Sequence, residues 1–303
     1  MAFYNKLVNE KDINGGGMIS MNQKENMAQS QKLMIFVLSM SLYGLATLFT
    51  ELIPKFQIGI VEFSVEYFLF IPLTLAMLFN PMSVALGAAT GEIVFSEIML
   101  GQFGGLGELE KFLTLTIGIY IAGRMVKNPK NRKMVGIAAM TGVVVQQLMG
   151  CAVDILKVQF AIEDFEVVAG LPESVFFTEG FACLNDICFS GVLFCLLPTL
   201  FLVPRLYGKI EPLLGIKLRT EKTVIGNKGV FTPKVMVLST LGFVAAVGAE
   251  FLAETGFALI DWEANWAESM PALVIGMIIA AIVAVIAFVT MKKKAASKAV
   301  EVR

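Results

Sequence analysis

The feature that most limits the fold of this chain is the alternation of charge between its eight apolar segments. Connecting segments rich in Lys and Arg alternate along the chain with segments rich in Asp and Glu. Of the 24 basic residues, only Lys55, Lys111 and Lys157 fall in the acid-rich segments. Membrane proteins retain Lys and Arg on the cytoplasmic side. The alternation therefore predicts an even number of spans, with both termini in the cytoplasm. The apolar segments are 33–50, 67–79, 82–100, 112–123, 134–153, 182–203, 235–253 and 270–291.

The composition also favours a membrane protein. Apolar residues make up 56% of the chain and charged residues 16%, against about 25% charged in soluble domains. Several segments approach the roughly 20 residues with which an α-helix crosses about 30 Å of hydrocarbon. We therefore predict an all-α, multi-pass protein of a prokaryotic cell membrane with eight spans. The segments 67–79 and 112–123 are short, so we expect those helices to extend into their polar flanks or to end inside the protein.

The polar stretches divide the chain into five parts. Several Pro and Gly residues after the sixth apolar segment indicate a loop-rich connector. The six segments before it form the predicted core, and the last two form a hairpin. The predicted parts are a polar cytoplasmic tail at 1–32, a six-helix membrane core at 33–205, a cytoplasmic connector at 206–233, a transmembrane hairpin at 234–292 and a basic cytoplasmic tail at 293–303.

The residue types exclude several kinds of chemistry. The chain contains no His, so imidazole metal sites, His acid/base catalysis and Ser-His nucleophiles are excluded. Its four Cys have no zinc-ribbon spacing. We therefore expect no enzyme activity, no resident metal and no organic cofactor.

Polar side chains collect in the outer half of the predicted core. Glu92 lies near the middle of the third segment, where an unpaired carboxylate costs about 2.5–3.5 kcal/mol, and Glu97 lies nearer its outer end. Such groups must be protonated, paired or hydrated, so we predict a polar pocket open to the outside. The acidic outer face favours a cationic or amine-bearing solute. Further candidate ligand-binding residues are Glu62, Glu66, Gln146, Gln147, Asp154 and Asn185, of which Glu62, Glu66 and Asp154 are equally explained as water-exposed ends of spans.

Small residues recur on the predicted helices. Gly87 and Gly91 are four residues apart, and such spacing lets two helix backbones approach closely in lipid. The first predicted helix carries Ser41, Gly44 and Ala46. These positions predict helix contacts, within the chain or with a partner.

One part of the chain resembles a known family. Residues 78–93, with the sequence LFNPMSVALGAATGEI, resemble the junction between the second and third helices of the substrate-binding S components of energy-coupling factor (ECF) transporters. In that family a turn ending in Gly-Pro precedes a Gly- and Ala-rich helix that carries an acid. The run 121–124, with the sequence IAGR, is similar to the family's junction between helices four and five. The resemblance covers about residues 33–205.

The resemblance implies a six-helix bundle whose outer face binds a vitamin or a related small molecule. The pocket would be formed by the first and third outer loops and by the outer parts of helices four to six. The implied partners are a transmembrane coupling subunit, which docks on small residues of the first helix, and two cytoplasmic ATPases. The implied site residues are Glu62 and Glu66 beside the first outer loop, Gln102 after the third helix, and Gln146, Gln147, Asp154 and Asn185 on the pocket helices.

Three functions remain open at this point. The leading hypothesis is a membrane substrate-capture subunit of an ECF-type importer. The second is an ion-coupled secondary transporter in which Glu92 and Glu97 exchange protons or Na⁺. The third is a membrane scaffold that holds other subunits through its small-residue faces.

Overall fold

The computed structural model describes residues 29–58, 61–103, 105, 108–160, 170–220 and 233–254, together with positions 278, 282 and 285. These residues are helical apart from loops and one short β-hairpin, so the predicted all-α class is confirmed. In the hairpin, β1 (Phe56–Ile58) pairs antiparallel with β2 (Val61–Phe63). The α-helices are α1 (Gln29–Glu51), α2 (Phe70–Leu78), α3 (Pro81–Glu92), α4 (Glu108–Met125), α5 (Arg132–Gln159), α6 (Val175–Asp186), α7 (Leu197–Leu206) and α8 (Pro233–Glu254).

Two helices continue into π-helical segments. The first π segment, Ile93–Ile98, follows α3 directly, and the second, Ile187–Leu196, joins α6 to α7 in one continuous helix. The π-helix is uncommon, and it often marks a functional site. The acids that precede the two segments are Glu92 and Asp186.

Among the described residues, three helices are long and apolar enough to cross a membrane. They are Gln29–Glu51, Arg132–Gln159 and the continuous helix Val175–Leu206. Each of the first seven predicted apolar segments coincides with a helix, whereas the eighth, 270–291, lies outside the described residues except at three positions. The 9-residue α2 is only about 14 Å long, so it ends inside the protein. The 18-residue α4 extends into its acidic flank at Glu108.

The bundle has two ends, which we name by their residues. The outer end is where α1 ends and α2 and α4 begin, and the inner end is where α3 and α5 begin. Helix α2 is central, because it contacts α1, α3, α4, α5 and α7. Its residues from Pro72 to Leu78 are all buried.

Helices α1 and α3 pack through glycines. A Cβ atom added at Gly87 would overlap the carbonyl oxygen of Phe36, and one added at Gly91 would overlap that of Met40. On the opposite helix, a Cβ at Gly44 would lie 2.6 Å from the Gly91 oxygen. Since only glycine permits this approach, these residues pack within the chain. Ala46 is also buried, whereas Ser41 is partly exposed.

Helix α8 packs on the core instead of standing apart from it. A Cβ at Gly242 would lie 3.5 Å from Ile117 of α4. At the outer end, the Phe251 ring meets the Phe160 ring edge to face, with centroids 5.4 Å apart. The first helix of the predicted hairpin is therefore attached to α4 and to the end of α5.

The predicted connector is folded against the inner end over residues 207–220. Leu214 and Ile216 belong to the main hydrophobic core. Glu211 is completely buried, and its carboxylate accepts a hydrogen bond from the Gly208 N–H at 2.8 Å. Burial raises the pKa of the Glu211 carboxyl above its usual value, and the neighbouring Arg219 guanidinium offsets only part of this effect.

The raised pKa predicts a pH-dependent stability. The native state keeps the Glu211 proton to a higher pH than the unfolded chain, so native stability falls as pH rises from about 4.3 through the raised native pKa. Glu211→Gln keeps an acceptor for Gly208 but has no carboxylate to desolvate. We expect the thermal unfolding temperature of E211Q, relative to wild type, to rise as the pH increases above about 4.3, the pKa of an unperturbed Glu. Glu173→Gln, at an exposed acid, is the control, and a pH-independent difference for E211Q contradicts the prediction.

Candidate functional site

The first outer segment, residues 64–67, is attached to the second π segment. The Ser190 hydroxyl donates to the Ser64 carbonyl at 3.0 Å. The same hydroxyl accepts the Glu66 N–H at 3.3 Å. Ser64 and Ser190 are both buried. These bonds hold the segment that leads into α2 against the outer half of the α6–α7 helix.

Tyr67 connects this segment to two further helices. Its hydroxyl donates to the Asp186 carbonyl at 3.2 Å, and it accepts a bond from the Gln147 side-chain amide at 3.0 Å. The segment, α5 and the α6–α7 helix therefore meet at one phenol. We call this set the Tyr67 cluster, and its members are Ser64, Glu66, Tyr67, Gln147 and Ser190.

The Glu66 carboxylate lies at the exposed edge of the Tyr67 cluster. Lys55 Nζ is 2.9 Å from one of its oxygens, and the Ser64 hydroxyl donates to the same oxygen at 2.5 Å. The Lys55 side chain is 55% exposed, and exposed ion pairs contribute only about 0–1 kcal/mol. The Lys55–Glu66 pair therefore contributes little to stability.

A second polar cluster lies where the first π segment meets the start of α4. Lys111 Nζ is 2.9 Å from Glu97 Oε1 and 3.4 Å from Glu108 Oε2. Both carboxylates are buried, with 8% of each side chain exposed, whereas 48% of the Lys111 side chain is exposed. One lysine thus compensates two carboxylates that are withdrawn from water.

Glu92 belongs to the same cluster. It is partly buried, and its carboxyl interacts electrostatically with Lys111, Glu97, Glu108 and Glu110. We call these residues the Lys111 cluster. Within the cluster the buried carboxylates of Glu97 and Glu108 share one lysine, an arrangement that attracts a further cation.

Gln146 lies on the face of α5 that packs against α4. A Cβ at Gly118 would lie 3.2 Å from the Gln146 Cβ, and Gln146 Oε1 is buried with no hydrogen-bond partner among the described residues. One turn further along α5, a Cβ at Gly150 would lie 3.8 Å from Glu110 Oε1. An unsatisfied buried polar atom costs about 1–3 kcal/mol, so it needs an explanation, and a ligand or a water is one.

The other candidate residues are not brought together. Asp154 pairs with Lys157 at 3.3 Å, one turn along α5. Gln102 is exposed, and its backbone N–H donates to the Glu97 carbonyl at 2.8 Å. Asn185 is partly buried on α6. The Glu62 side chain lies outside the described part of the structure.

Sequence reasoning missed six members of the two clusters: Ser64, Tyr67, Ser190, Glu108, Glu110 and Lys111. For Lys111 a signal existed, because it is one of three basic residues in the acidic connecting segments and directly follows Glu108 and Glu110. Tyr67 directly follows the candidate Glu66, but a tyrosine beside an apolar run also suits a membrane interface. Ser190 gave no signal, since hydroxyls inside helices usually bond to their own backbone.

The described residues also form an apolar groove, away from both clusters. Its volume is about 570 Å³, and it lies along α5 beside the second π segment. It contains none of the candidate ligand-binding residues, so it is not the polar pocket that the sequence predicts. Within the described ranges, no group of three or more Cys, Asp and Glu side chains is arranged to hold a metal ion. The groove residues are Gly136, Ile137, Met140, Thr141, Val144, Val145 and Leu196.

Comparison with known families gives a match over most of the chain. Residues 34–300 match DUF8171, which is described as a family of unknown function. The chain belongs to this family. No curated protein and no solved structure matches the chain. The DUF8171 match extends from α1 past α8, so α8 and the segment 270–291 belong to the family unit together with the six predicted core spans.

Proposed function

We propose that the chain captures a small solute from outside the cell, as the substrate-binding subunit of an ECF-type importer. The observation that carries the proposal is the Tyr67 cluster. In it, side chains of α5 and of the second π segment hold the first outer segment against the outer end of the bundle. A binding site at the helix ends with one loop fixed over it suits capture of a solute from water.

The charges and amides at the outer end support a cationic or amine-bearing solute. Glu66 supplies a carboxylate at the exposed edge, and in the Lys111 cluster two buried carboxylates share one lysine. Gln147 and Gln146 offer amides for orientation, and the Gln146 oxygen has no partner among the described residues. Directional hydrogen bonds combined with charge complementarity are the usual means of selecting a small polar ligand.

The proposal includes a membrane topology of eight spans in a prokaryotic cell membrane, with both termini in the cytoplasm. The charge alternation along the sequence and the three long apolar helices support it. In this orientation, both clusters lie in the outer half of the membrane or at its outer surface. The folded part of the connector, 207–220, then lies at the cytoplasmic surface.

The proposed partners are a transmembrane coupling subunit and two cytoplasmic ATPases. The small-residue face of α1 packs against α3 through Gly44. We therefore propose that a coupling subunit docks on another face of α1, where Leu33 and Val37 are exposed. Large apolar side chains make this surface different from the small-residue face that the ECF resemblance implies.

The direct test is solute binding by the purified protein. Thermal unfolding is followed with choline, thiamine and putrescine as cationic probes and with pantothenate as an anionic probe. We expect a cationic probe to raise the unfolding temperature, and Glu66→Gln and Glu92→Gln to weaken its binding at least tenfold, which is about 1.4 kcal/mol. Glu173→Gln, at an exposed acid that belongs to neither cluster, is the matched control. The proposal fails if no probe stabilises the protein and both variants support growth and uptake as wild type does.

The Lys111 cluster favours a second candidate, an ion-coupled secondary transporter. Glu97 and Glu108 are buried carboxylates that share a cation, an arrangement typical of ion and proton relays. Such a transporter accumulates solute in proteoliposomes without any ATPase when an ion gradient is imposed, and Glu97→Gln abolishes the accumulation. A capture subunit binds solute in the same proteoliposomes but accumulates none.

A further inference from the structure

Arg219 of the connector is buried at the inner end, with 1% of the residue exposed. One guanidinium nitrogen donates to the carbonyls of Gly123 and Val126 at 2.9 and 3.1 Å. The other terminal nitrogen donates to the carbonyl of Ala76 at 3.0 Å and to that of Phe79. A single side chain thus bonds the ends of two helices, α2 and α4.

These four carbonyls lie where two helices end. The last four carbonyls of an α-helix have no partner within the helix, and the helix dipole places partial negative charge there. Gly123 marks the close approach of the two helices, since a Cβ there would lie 2.8 Å from the Ala76 oxygen. A planar guanidinium with several donors is the side chain best suited to bond both ends at once.

The rest of the connector holds Arg219 in this position. The Tyr207 hydroxyl donates to the Arg219 carbonyl. The Gln31 side-chain amide of α1 donates to the Gly215 carbonyl at 2.6 Å. Leu214, which lies between Tyr207 and Gly215 in the sequence, is buried. The folded connector therefore contacts α1 in addition to α2 and α4.

We propose that the folded connector is a seal across the inner end of the bundle and that Arg219 is the residue that positions it. The positive charge stabilises two helix C-termini, and the bonds fix the spacing between α2 and α4. The proposed function requires water to reach the outer clusters, and a closure at the inner end would then prevent a leak through the bundle. The assignment of this end to the cytoplasm rests on the proposed function, whereas the closure itself rests on the contacts of Arg219.

The seal has a consequence for transport. A rocking transporter must open its inner end in each cycle, and here that would break four bonds to a buried guanidinium. Removing one partner of a buried charged network is strongly unfavourable. The seal therefore favours a protein whose inner end stays closed rather than a rocking transporter.

Hydrogen–deuterium exchange of the full-length protein in nanodiscs, together with proton leak in proteoliposomes, tests the seal. We expect Arg219→Ala to speed amide exchange at least tenfold in peptides covering 74–82, 121–128 and 207–220, and to leave the outer segment 64–67 unchanged. We also expect several-fold faster proton leak. Arg219→Lys keeps the charge with fewer donors, so it should lie between wild type and Arg219→Ala. Arg205→Ala, at an exposed arginine of the same end, is the control.

The possible outcomes are distinct. If Arg219→Ala leaves exchange at the inner end unchanged, Arg219 does not hold the connector and the proposal is wrong. Faster exchange without faster leak also overturns the seal, because Arg219 is then only a packing residue. If Arg219→Ala does not fold, Tyr207→Phe, which removes only the bond to the Arg219 carbonyl, decides by the same two measurements. Solute binding in the same preparations tests the proposed function separately, since either result can fail without the other.

Discussion

Gly91→Ala is expected to lower the thermal unfolding temperature of the purified protein and to reduce its yield in membranes. The new Cβ would overlap the carbonyl oxygen of Met40 and lie 3.0 Å from the Gly44 nitrogen. Both atoms belong to the backbone of α1, so no side-chain rotation relieves the clash. Helices α1 and α3 must separate, and overpacking of this kind costs about 1–3 kcal/mol, sometimes more. In a membrane, where packing drives helix association, the loss is not recovered by burial elsewhere.

Gly248→Ala is the matched control for this prediction, and its expected effect has the opposite sign. Gly248 also lies inside a helix, but a Cβ there meets nothing within 4 Å. Alanine stabilises an open helical position by about 0.5–1 kcal/mol relative to glycine. Thermal unfolding of the two variants in the same detergent is the measurement. A higher unfolding temperature for both variants would show that helix propensity, and not the close approach of α1 and α3, determines the effect of Gly91→Ala.

Gly87 and Gly91 show which parts of the fold are predictable from sequence. The spacing of Gly87 and Gly91 is local information, and it predicts a close helix approach before the partner helix is known. The apolar segments are local too, so each of the first seven coincides with a helix. The identity of the partner, α1, depends on how the chain folds back, and sequence spacing does not contain it.

The candidate site was predictable only in part for the same reason. Glu92 lies in the middle of an apolar segment, where removing a carboxylate from water is costly. This cost alone predicts a polar environment around Glu92. Which acids are paired is a tertiary property. Glu66 lies beside Lys55, and Asp154 lies beside Lys157. Each acid therefore has a lysine nearby in the sequence. Only the positions of the helix ends show that Glu66, and not Asp154, belongs to the Tyr67 cluster.

Arg219 was not predictable from sequence. In the charge pattern it counts as one more basic residue on the predicted cytoplasmic side. Its partners lie 93 to 143 residues earlier in the chain. The bonds of Arg219 to α2 and α4 leave no local pattern in the sequence, because their acceptors are backbone carbonyls, which every residue has.

Lys111→Gln is the second substitution with a large expected effect. It leaves Glu97 and Glu108 close together and buried, without the cation they share. Breaking a fully buried charged pair costs about 3–5 kcal/mol. Because half of the Lys111 side chain is exposed, solvent screens part of the interaction, and we expect a loss of about 1–3 kcal/mol, seen as a lower thermal unfolding temperature.

A second substitution separates charge from packing at this position. If Lys111 acts by compensating carboxylates, Glu97→Gln introduced together with Lys111→Gln removes one of the two uncompensated charges and restores much of the lost stability. If Lys111 acts by packing its aliphatic chain, the double variant is no more stable than Lys111→Gln alone. Lys127→Gln, at an exposed lysine, is the control and is expected to change stability by about 0–1 kcal/mol. The rescue is measurable as a coupling free energy between Lys111 and Glu97 in a double-mutant cycle. A coupling near zero would remove the electrostatic basis of the Lys111 cluster and, with it, the argument for an ion-coupled transporter.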